Sequence, residues 1–330
     1  MKKFTNKQNI DLPLAVWLAS DEYEGVNEHD TFIASTLLKS TKEIVLSERI
    51  SAPLENAKVD LSTKIASRMG TAIHTAIEES WVSPTLDETL KALGYNEHHI
   101  QKLRVNPDIH EPSAFNVYLE QREFKDFEGF RINGQYDFIF DGEIHDIKTT
   151  GAFTWTNATK SEDYSLQGSI YRWLNQDKAT ASTVTIHFVF TDWNKLDSIK
   201  NPRSYPDSRI KSKQYDLLTI PETEQWLRNK LNEIVKYRNL LQSEMAPCTP
   251  EQLWQGKPVY KYYKDSNNTK RSNGNFDSPE GAYNKLHESG GVGVVLTVYG
   301  KPKKCKFCPA LSICEQGQGY LANGDIKLEN

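Results

Sequence analysis

Two aspartates and a lysine lie close together in the middle of the chain, at Asp137, Asp146 and Lys148. Asp146 and Lys148 are two residues apart in a segment with strand-like alternation, so their side chains project from one face. Asp137 lies on the preceding predicted strand, across a short turn. Two converging carboxylates repel each other unless a cation lies between them, and Mg²⁺ or Mn²⁺ takes such oxygen ligands and keeps waters. The spacing therefore predicts a divalent-metal site.

Two further groups belong to this predicted site. The carbonyl of Ile147 offers a third oxygen to the metal. Lys148 is placed to deprotonate or orient a metal water, or to stabilise charge that develops on a phosphate. A hairpin with these residues is equally typical of a solvated surface with a cross-strand ion pair, and the triad alone leaves both interpretations open.

Two predicted helices carry polar residues that face one way. His74 and Glu78 are one turn apart in the first helix, where Gly70 permits close approach of another backbone or of DNA. Gln167 and Tyr171 are also four residues apart, in a later helix. Either pair alone is more typical of an ordinary surface or core than of a site.

Hydrophobic periodicity predicts the elements that position these residues. Helical spacing covers 33–46, 61–81, 86–93, 164–174 and 220–241. Strand-like alternation covers 115–124, 130–140, 143–148 and 183–190, with Asp141-Gly142 as a tight hairpin turn. This order predicts an α/β fold with a mixed central sheet flanked by helices.

The chain organisation is predicted as an N-terminal helical segment (1–60), a core (61–245) and a C-terminal cysteine-rich module (246–330).

Hydrophobic content of 38% and charged content of 25% suit a soluble globular protein. No apolar run spans a membrane and no secretory segment opens the chain, so we expect a cytoplasmic protein. The net charge of −4 argues against binding nucleic acid by bulk charge. A phosphate-binding loop of the helicase type is absent from the sequence.

Four cysteines are present, and three of them fall within ten residues near the C-terminus: Cys305, Cys308 and Cys314. Without a secretory signal this clustering predicts a metal site before it predicts disulfides. A pair two residues apart chelates through a tight turn, and a third thiolate nearby needs a fourth ligand. Cys248 is the natural candidate for that ligand, and His287 is the alternative if the metal is a structural Zn²⁺.

Taken together, the motifs resemble those of the PD-(D/E)XK nuclease superfamily, in its RecB-like exonuclease branch. That branch has, in order, a Gly-x-x-x-His helix, a Gly-x-x-Asp strand, an Asp-x-Lys strand and a Gln-x-x-x-Tyr helix. The matching residues are Gly70 and His74, Gly134 and Asp137, Asp146 and Lys148, and Gln167 and Tyr171. The resemblance spans about residues 65–175 and implies a restriction-endonuclease-like core.

The resemblance also implies roles for these residues. His74, Asp137 and Asp146 are similar to the family's metal ligands, often joined by the carbonyl at Ile147. Lys148 is similar to the catalytic lysine. Gln167 and Tyr171 are similar to residues that orient the site and the DNA backbone. Three acidic neighbours have no assigned role and are interpreted as a solvated face: Glu78, Glu120 and Glu123.

The cysteine segment resembles that of the iron–sulfur nucleases in the same superfamily. There, three C-terminal cysteines join one distant cysteine around a [4Fe-4S] cluster. In those proteins the distant cysteine precedes the histidine helix, whereas Cys248 follows the core. The proline after Cys308 favours the cluster, with structural Zn²⁺ as the alternative.

The resemblance thus implies a Mg²⁺- or Mn²⁺-dependent DNA exonuclease of phage or bacterial replication, recombination or repair, which yields 5′-phosphates and acts on DNA ends. A partner protein of replication or recombination fits this setting. The alternatives are a nucleic-acid-binding module with an inactive core and a restriction-type endonuclease. The basic, tyrosine-containing stretch 260–275 is interpreted either as a DNA contact or as a solvated loop. Phe153 and Trp155 form either a wall on which a base stacks or part of the core.

Overall fold

The computed structural model describes residues 3–20, 28–50, 58–157 and 160–328. The chain divides into two compact units, one made of Met1–Leu38 with Ala52–Leu231 and the other of Lys39–Ser51 with Asn232–Asn330. Within the described ranges, no helix combines the length and the apolar composition that crossing a membrane would require.

The first unit contains eleven strands within the described residues: β1 (Lys3–Thr5), β2 (Thr31–Ile33), β3 (Lys58–Asp60), β4 (Leu103–Val105), β5 (Phe115–Leu119), β6 (Arg122–Phe127), β7 (Phe130–Gln135), β8 (Phe138–Phe140), β9 (Glu143–Thr150), β10 (Thr183–Phe190) and β11 (Ile210–Asp216). The second unit contains β12 (Val259–Tyr263), β13 (Gly274–Phe276) and β14 (Val294–Val298).

The α-helices, in chain order, are α1 (Leu12–Ala19), α2 (Ala34–Leu37), α3 (Thr41–Glu48), α4 (Ile65–Trp81), α5 (Leu86–Ala92), α6 (Glu97–Gln101), α7 (Ala152–Asn157), α8 (Ser161–Leu174), α9 (Lys195–Lys200), α10 (Ile220–Arg238), α11 (Pro279–Glu288) and α12 (Glu315–Ala322). Short 3₁₀ helices cover Leu61–Lys64, Gln242–Glu244, Lys303–Phe307 and Pro309–Ser312.

A six-stranded mixed sheet forms the centre of the first unit, in the order β11-β10-β9-β8-β5-β4. Strands β9 and β10 pair in parallel, and β8 pairs with β9 in antiparallel register. The β8–β9 turn is formed by Asp141 (φ 46°) and Gly142 (φ 86°), which have the two positive φ values of a tight hairpin. The predicted mixed α/β fold is confirmed.

A second sheet of this unit, β2-β7-β6, explains two differences from the sequence predictions. Segments 115–124 and 130–140 were each expected to be one strand. Segment 115–124 instead divides into β5 of the six-stranded sheet and β6 of the second sheet. Segment 130–140 divides into β7 of the second sheet and β8 of the six-stranded sheet. The periodicity is the same on both sides of each break, so alternation alone does not reveal where the chain changes sheet.

Helices α4 and α8 both contact β9, the strand that carries Asp146 and Lys148. On α4, the Trp81 ring packs edge-on against Phe138 with centroids 5.0 Å apart. On α8, Trp173 is 1% exposed and its indole N–H donates to Glu224 at 2.9 Å. Burial of these large rings fixes both helices on the sheet, because apolar area removed from water is the main favourable contribution to packing.

The expected helix over 33–46 is in fact two helices, α2 and α3. Ser40 lies between them in extended conformation, and its hydroxyl accepts from the backbone N–H of Glu43 at 3.1 Å. This N-cap starts a new helix where the sequence suggested a continuous one.

In the second unit, β12 pairs with β13 and β14 in an antiparallel sheet, and α11 packs against it. Most of β12 and the start of β13 lie in the polar, basic stretch 260–275. The polar composition gives these strands a weak hydrophobic pattern, because only part of their surface is buried. Tyr262 and Tyr263 are buried, whereas Asn275 is exposed.

Candidate metal and catalytic site

Asp137 lies in the break between β7 and β8, not within a strand as the alternation suggested. Its Oδ2 accepts a hydrogen bond from the backbone N–H of Ile147 at 2.7 Å. Its own carbonyl accepts from the N–H of Glu120 at 3.0 Å. The position where the chain passes from one sheet to the other is thus fixed against β9 on one side and against the end of β5 on the other.

Asp146 and Lys148 project from the same face of β9, as their spacing predicts. The Lys148 ammonium donates to Asp146 Oδ1 at 2.8 Å and to Gln167 Oε1 at 3.4 Å. Gln167 in turn donates to the Tyr171 hydroxyl at 2.8 Å. The structure therefore brings together these four residues in one hydrogen-bonded chain from β9 to α8.

His74 reaches the same place from α4. Its Nε2 lies 3.0 Å from the carbonyl oxygen of Ile147, and its Nδ1 lies 3.5 Å from Asp137 Oδ1. The neighbouring carboxylate of Glu120 raises the pKa of His74 despite the opposing effect of burial, and Asp137 acts in the same direction. The imidazole thus directs one nitrogen to the β9 backbone and the other to the carboxylates.

Glu120 also belongs to this site, although the sequence interpretation placed it on a solvated face. Its Oε1 lies 3.6 Å from His74 Nδ1, and its Oε2 accepts from Gln135 at 2.8 Å. With His74 and Asp137 it forms a group whose ligand atoms all lie within 4.8 Å of one another. Glu120 has a φ of 48°, a strained value for a residue other than glycine, which is typical of functional positions.

The other two acidic residues of that predicted solvated face differ from Glu120. Glu123 pairs with Lys178 at 2.9 Å. Glu78 lies one helical turn from His74, and burial together with repulsion from Glu120 raises its pKa. The sequence signal for Glu120 was its place directly after the apolar strand β5, at the point where a side chain can turn toward a neighbouring strand.

The charges of this cluster fit a divalent cation. Burial and the nearby charge of Asp146 raise the pKa of Asp137 to about 7, although His74, Lys148 and the Ile147 N–H act to lower it. Asp146 is 3% exposed, and its Oδ2 has no hydrogen-bond partner of suitable geometry, although the Lys148 ammonium lies 2.7 Å away. A buried carboxylate that lies beside a second one, as Asp146 does beside Asp137, is a suitable ligand for Mg²⁺ or Mn²⁺.

Two glycines show why these elements approach so closely. A Cβ at Gly134 would lie 2.7 Å from the Tyr171 ring, so only glycine lets that ring lie against β7. A Cβ at Gly70 would lie 2.9 Å from the Thr149 hydroxyl on β9. The absence of these side chains lets α8 and α4 bring Tyr171 and His74 to the sheet.

In the second unit, all four cysteines line one small cavity of about 30 Å³. Burial and the neighbouring thiols raise the pKa of Cys305 to about 11. Burial likewise raises the pKa of Cys248, which lines the cavity where His287 does not. Cys314 Sγ accepts from the N–H of Gly317 at 3.4 Å. Four cysteines around one small cavity are the residue types that a thiolate-bound metal or cluster would need.

No protein-family model matches this chain, and no curated protein matches it in sequence. Among solved structures, it is similar to SSO0001, with 12% identity and a TM-score of 0.41 over 70% of this chain and 88% of the other. It is also similar to a phage related exonuclease from Haemophilus somnus 129PT, with 14% identity and a TM-score of 0.30 over 66% of this chain and 98% of the other. At these values neither likeness supports a conclusion about this chain's activity.

Proposed function

We propose that this chain is a Mg²⁺- or Mn²⁺-dependent nuclease that hydrolyses phosphodiester bonds of DNA and leaves 5′-phosphates. The observation that carries the proposal is the pair of carboxylates Asp137 and Asp146, which lie near enough to repel each other, with His74 and Glu120 grouped around Asp137. A folded protein tolerates such a pair where a cation joins them.

In this proposal, the ion is held by His74, Asp137 and Asp146. Glu120 is a further ligand, since its carboxylate forms one close group with His74 and Asp137. The carbonyl of Ile147 faces His74 at 3.0 Å and lies beside these ligands. A divalent ion supplies Lewis acidity toward a phosphoryl oxygen and lowers the pKa of a coordinated water.

Lys148 serves as the donor to the phosphate in this arrangement. Burial lowers the pKa of the Lys148 ammonium, but the attraction of Asp146 and Asp137 outweighs burial and raises the pKa above its ordinary value. In the metal-free protein the side chain is therefore protonated at neutral pH, as a donor to phosphate charge needs to be. Gln167 is the positioning residue for Lys148, and Tyr171 for Gln167.

We propose an exonuclease rather than an endonuclease because the motif order resembles that of the RecB-like branch. The test is digestion of end-labelled linear DNA and of circular DNA with Mg²⁺, Mn²⁺ or EDTA. The proposal expects metal-dependent loss of the linear substrate and survival of the circle. Cleavage of the circle at a specific sequence would instead show a restriction-type endonuclease.

The residues are tested with Asp146→Asn and Lys148→Met, each expected to lower kcat at least about a hundredfold while the protein stays folded. The matched control is Glu128→Gln, which changes an exposed carboxylate of the same unit that pairs with Arg228 at 2.9 Å. Wild-type turnover in both site variants would refute the assignment. Binding of DNA without turnover by the wild-type protein would show an inactive core.

We further propose that the four cysteines hold a [4Fe-4S] cluster, with the cavity of the second unit as its place. Support comes from the proline after Cys308 and from the N–H that Gly317 directs at Cys314. Anaerobically purified protein is expected to be brown and to contain iron and sulfide. Colourless protein that contains zinc would overturn the cluster in favour of a structural Zn²⁺ site.

A further inference from the structure

A cleft of about 260 Å³ lies in the first unit between α7 and the loop that precedes β11. Trp155 of α7 lines one side, and Tyr205 and Arg203 of the loop line the other. The volume lies just below the usual range for small-molecule pockets and suits a single flat ring system. The nuclease chemistry described above uses none of these residues.

The walls of the cleft are held by hydrogen bonds. The Thr156 hydroxyl donates to the carbonyl of Ser204 at 2.9 Å, which ties the loop to α7. The Tyr205 hydroxyl accepts from the Asn194 N–H at 3.0 Å. Asp192 accepts from the N–H of Ala152, the first residue of α7, at 2.7 Å. The cleft is therefore built by tertiary contacts on both sides.

Trp155 connects the cleft to the strand that neighbours the strand of Lys148. Its indole packs edge-on against the Phe188 ring, with centroids 5.4 Å apart. Phe188 is the register partner of Lys148 in the adjacent parallel strand, so the two side chains project from one face of the sheet. Neighbouring strands are about 4.8 Å apart. One strand spacing and one ring contact therefore connect the Lys148 position to the wall of the cleft.

The charges of the lining suit a nucleotide. The Lys211 ammonium lies 5.8 Å from the centre of the Trp155 ring and pairs with Asp207 at 3.1 Å. Arg203 is exposed and forms no ion pair with any residue in the described part of the chain. A flat aromatic wall beside a free guanidinium matches a base that stacks and a phosphate that accepts hydrogen bonds.

We propose that this cleft binds one unstacked base of the DNA strand next to the scissile phosphate, with Trp155 as the stacking wall and Arg203 on the adjacent phosphate. This inference rests on the proposed nuclease function and deepens it. The sequence alone did not decide whether Trp155 and Phe153 form a wall on which a base stacks or part of the core. Phe153 is 72% exposed and does not line the cleft, so the proposal concerns Trp155.

The test measures binding, separately from cleavage. Single-stranded oligonucleotides with a 5′ fluorophore carry one abasic site at successive positions, and affinity is measured by anisotropy in Ca²⁺. We expect a loss of about tenfold at one position near the end and little change elsewhere, because stacking of one base contributes about that much. Trp155→Leu should remove this dependence on position. Equal affinity at every position would overturn the proposal.

Because Trp155 also packs on Phe188, a second variant tests the site without altering the core. Arg203→Gln is expected to weaken binding about threefold to tenfold. The control is Lys195→Gln, which removes an exposed charge of α9 outside the cleft and should leave affinity close to wild type. If the two variants lose affinity equally, Arg203 contributes only to the overall charge of the protein, and the proposal is overturned.

Two outcomes separate this inference from the nuclease proposal. Position-dependent binding without metal-dependent cleavage would refute the nuclease and leave the cleft as a nucleotide site. Cleavage without position dependence would refute the cleft alone. Deoxynucleoside monophosphates serve as competitors, and if they bind in the cleft while oligonucleotides show no position dependence, the site holds free nucleotide and the proposed DNA contact is wrong.

Discussion

Asp137 gives the sharpest test of the idea that a cation belongs at this site. Burial and the nearby Asp146 raise its pKa from 3.8 to about 7 in the metal-free protein. The folded protein therefore binds a proton more tightly than the unfolded chain, so the stability linked to this proton is present at low pH. It is lost as pH rises through the window between these two values.

Asp137→Asn removes this titration while it keeps an oxygen that can accept from the Ile147 N–H. The free energies of unfolding of wild type and variant should therefore diverge with pH. The slope is about 1.4 kcal/mol per pH unit and flattens near pH 7, where Asp137 is half ionised in the folded protein. The widening between pH 5 and pH 7 is therefore about 2.3 kcal/mol in favour of the variant. Above about pH 8 the difference should stay constant, because Asp137 is then ionised in both states.

The assay is urea-induced unfolding in EDTA at pH 5, 6, 7 and 8. The control is Asp126→Asn, which changes an exposed carboxylate on β6, and its difference from wild type should not vary with pH. Added Mg²⁺ at pH 8 should stabilise wild type and not Asp137→Asn, because only the native site binds the ion. A constant difference between wild type and Asp137→Asn across this pH range would refute the reasoning.

Three further changes test the neighbouring residues. Gly134→Ala places a Cβ 2.7 Å from the Tyr171 ring and should cost about 1–3 kcal/mol in urea unfolding, with lower turnover; wild-type stability would contradict the close packing. Glu120→Gln should weaken Mg²⁺ binding at least about tenfold in a metal titration of stability, and unchanged affinity would remove Glu120 from the site. Cys248→Ser should lower the iron content and visible absorbance of purified protein, whereas His287→Ala should not; the reverse pattern would make His287 the fourth ligand.

Local pattern in the sequence was enough for several parts of the fold and site. Two-residue periodicity placed Asp146 and Lys148 on one face of β9. The residue pair Asp141-Gly142 predicted the hairpin, because few other residues accept its positive φ values. Helical periodicity predicted α4 and α8, the helices of His74 and of Gln167. Each of these inferences depends only on residues close together in the chain.

Other features were decided by tertiary structure alone. The change of sheet at Asp137 leaves no mark in the alternation, because strands of both sheets have the same period. Ser40 divides a helix that the sequence suggested was continuous, since a cap differs from a helix interior only in backbone conformation.

Glu120 and the Trp155 cleft show the physical reason most clearly. Glu120 joins His74 and Asp137 from positions 46 and 17 residues away in the chain, and Trp155 faces a loop 50 residues further on. The sequence determines which side chains can bind a metal or stack on a base. Which of them meet depends on how strands from distant segments pair, because contacts between distant residues form only when the whole sheet is assembled.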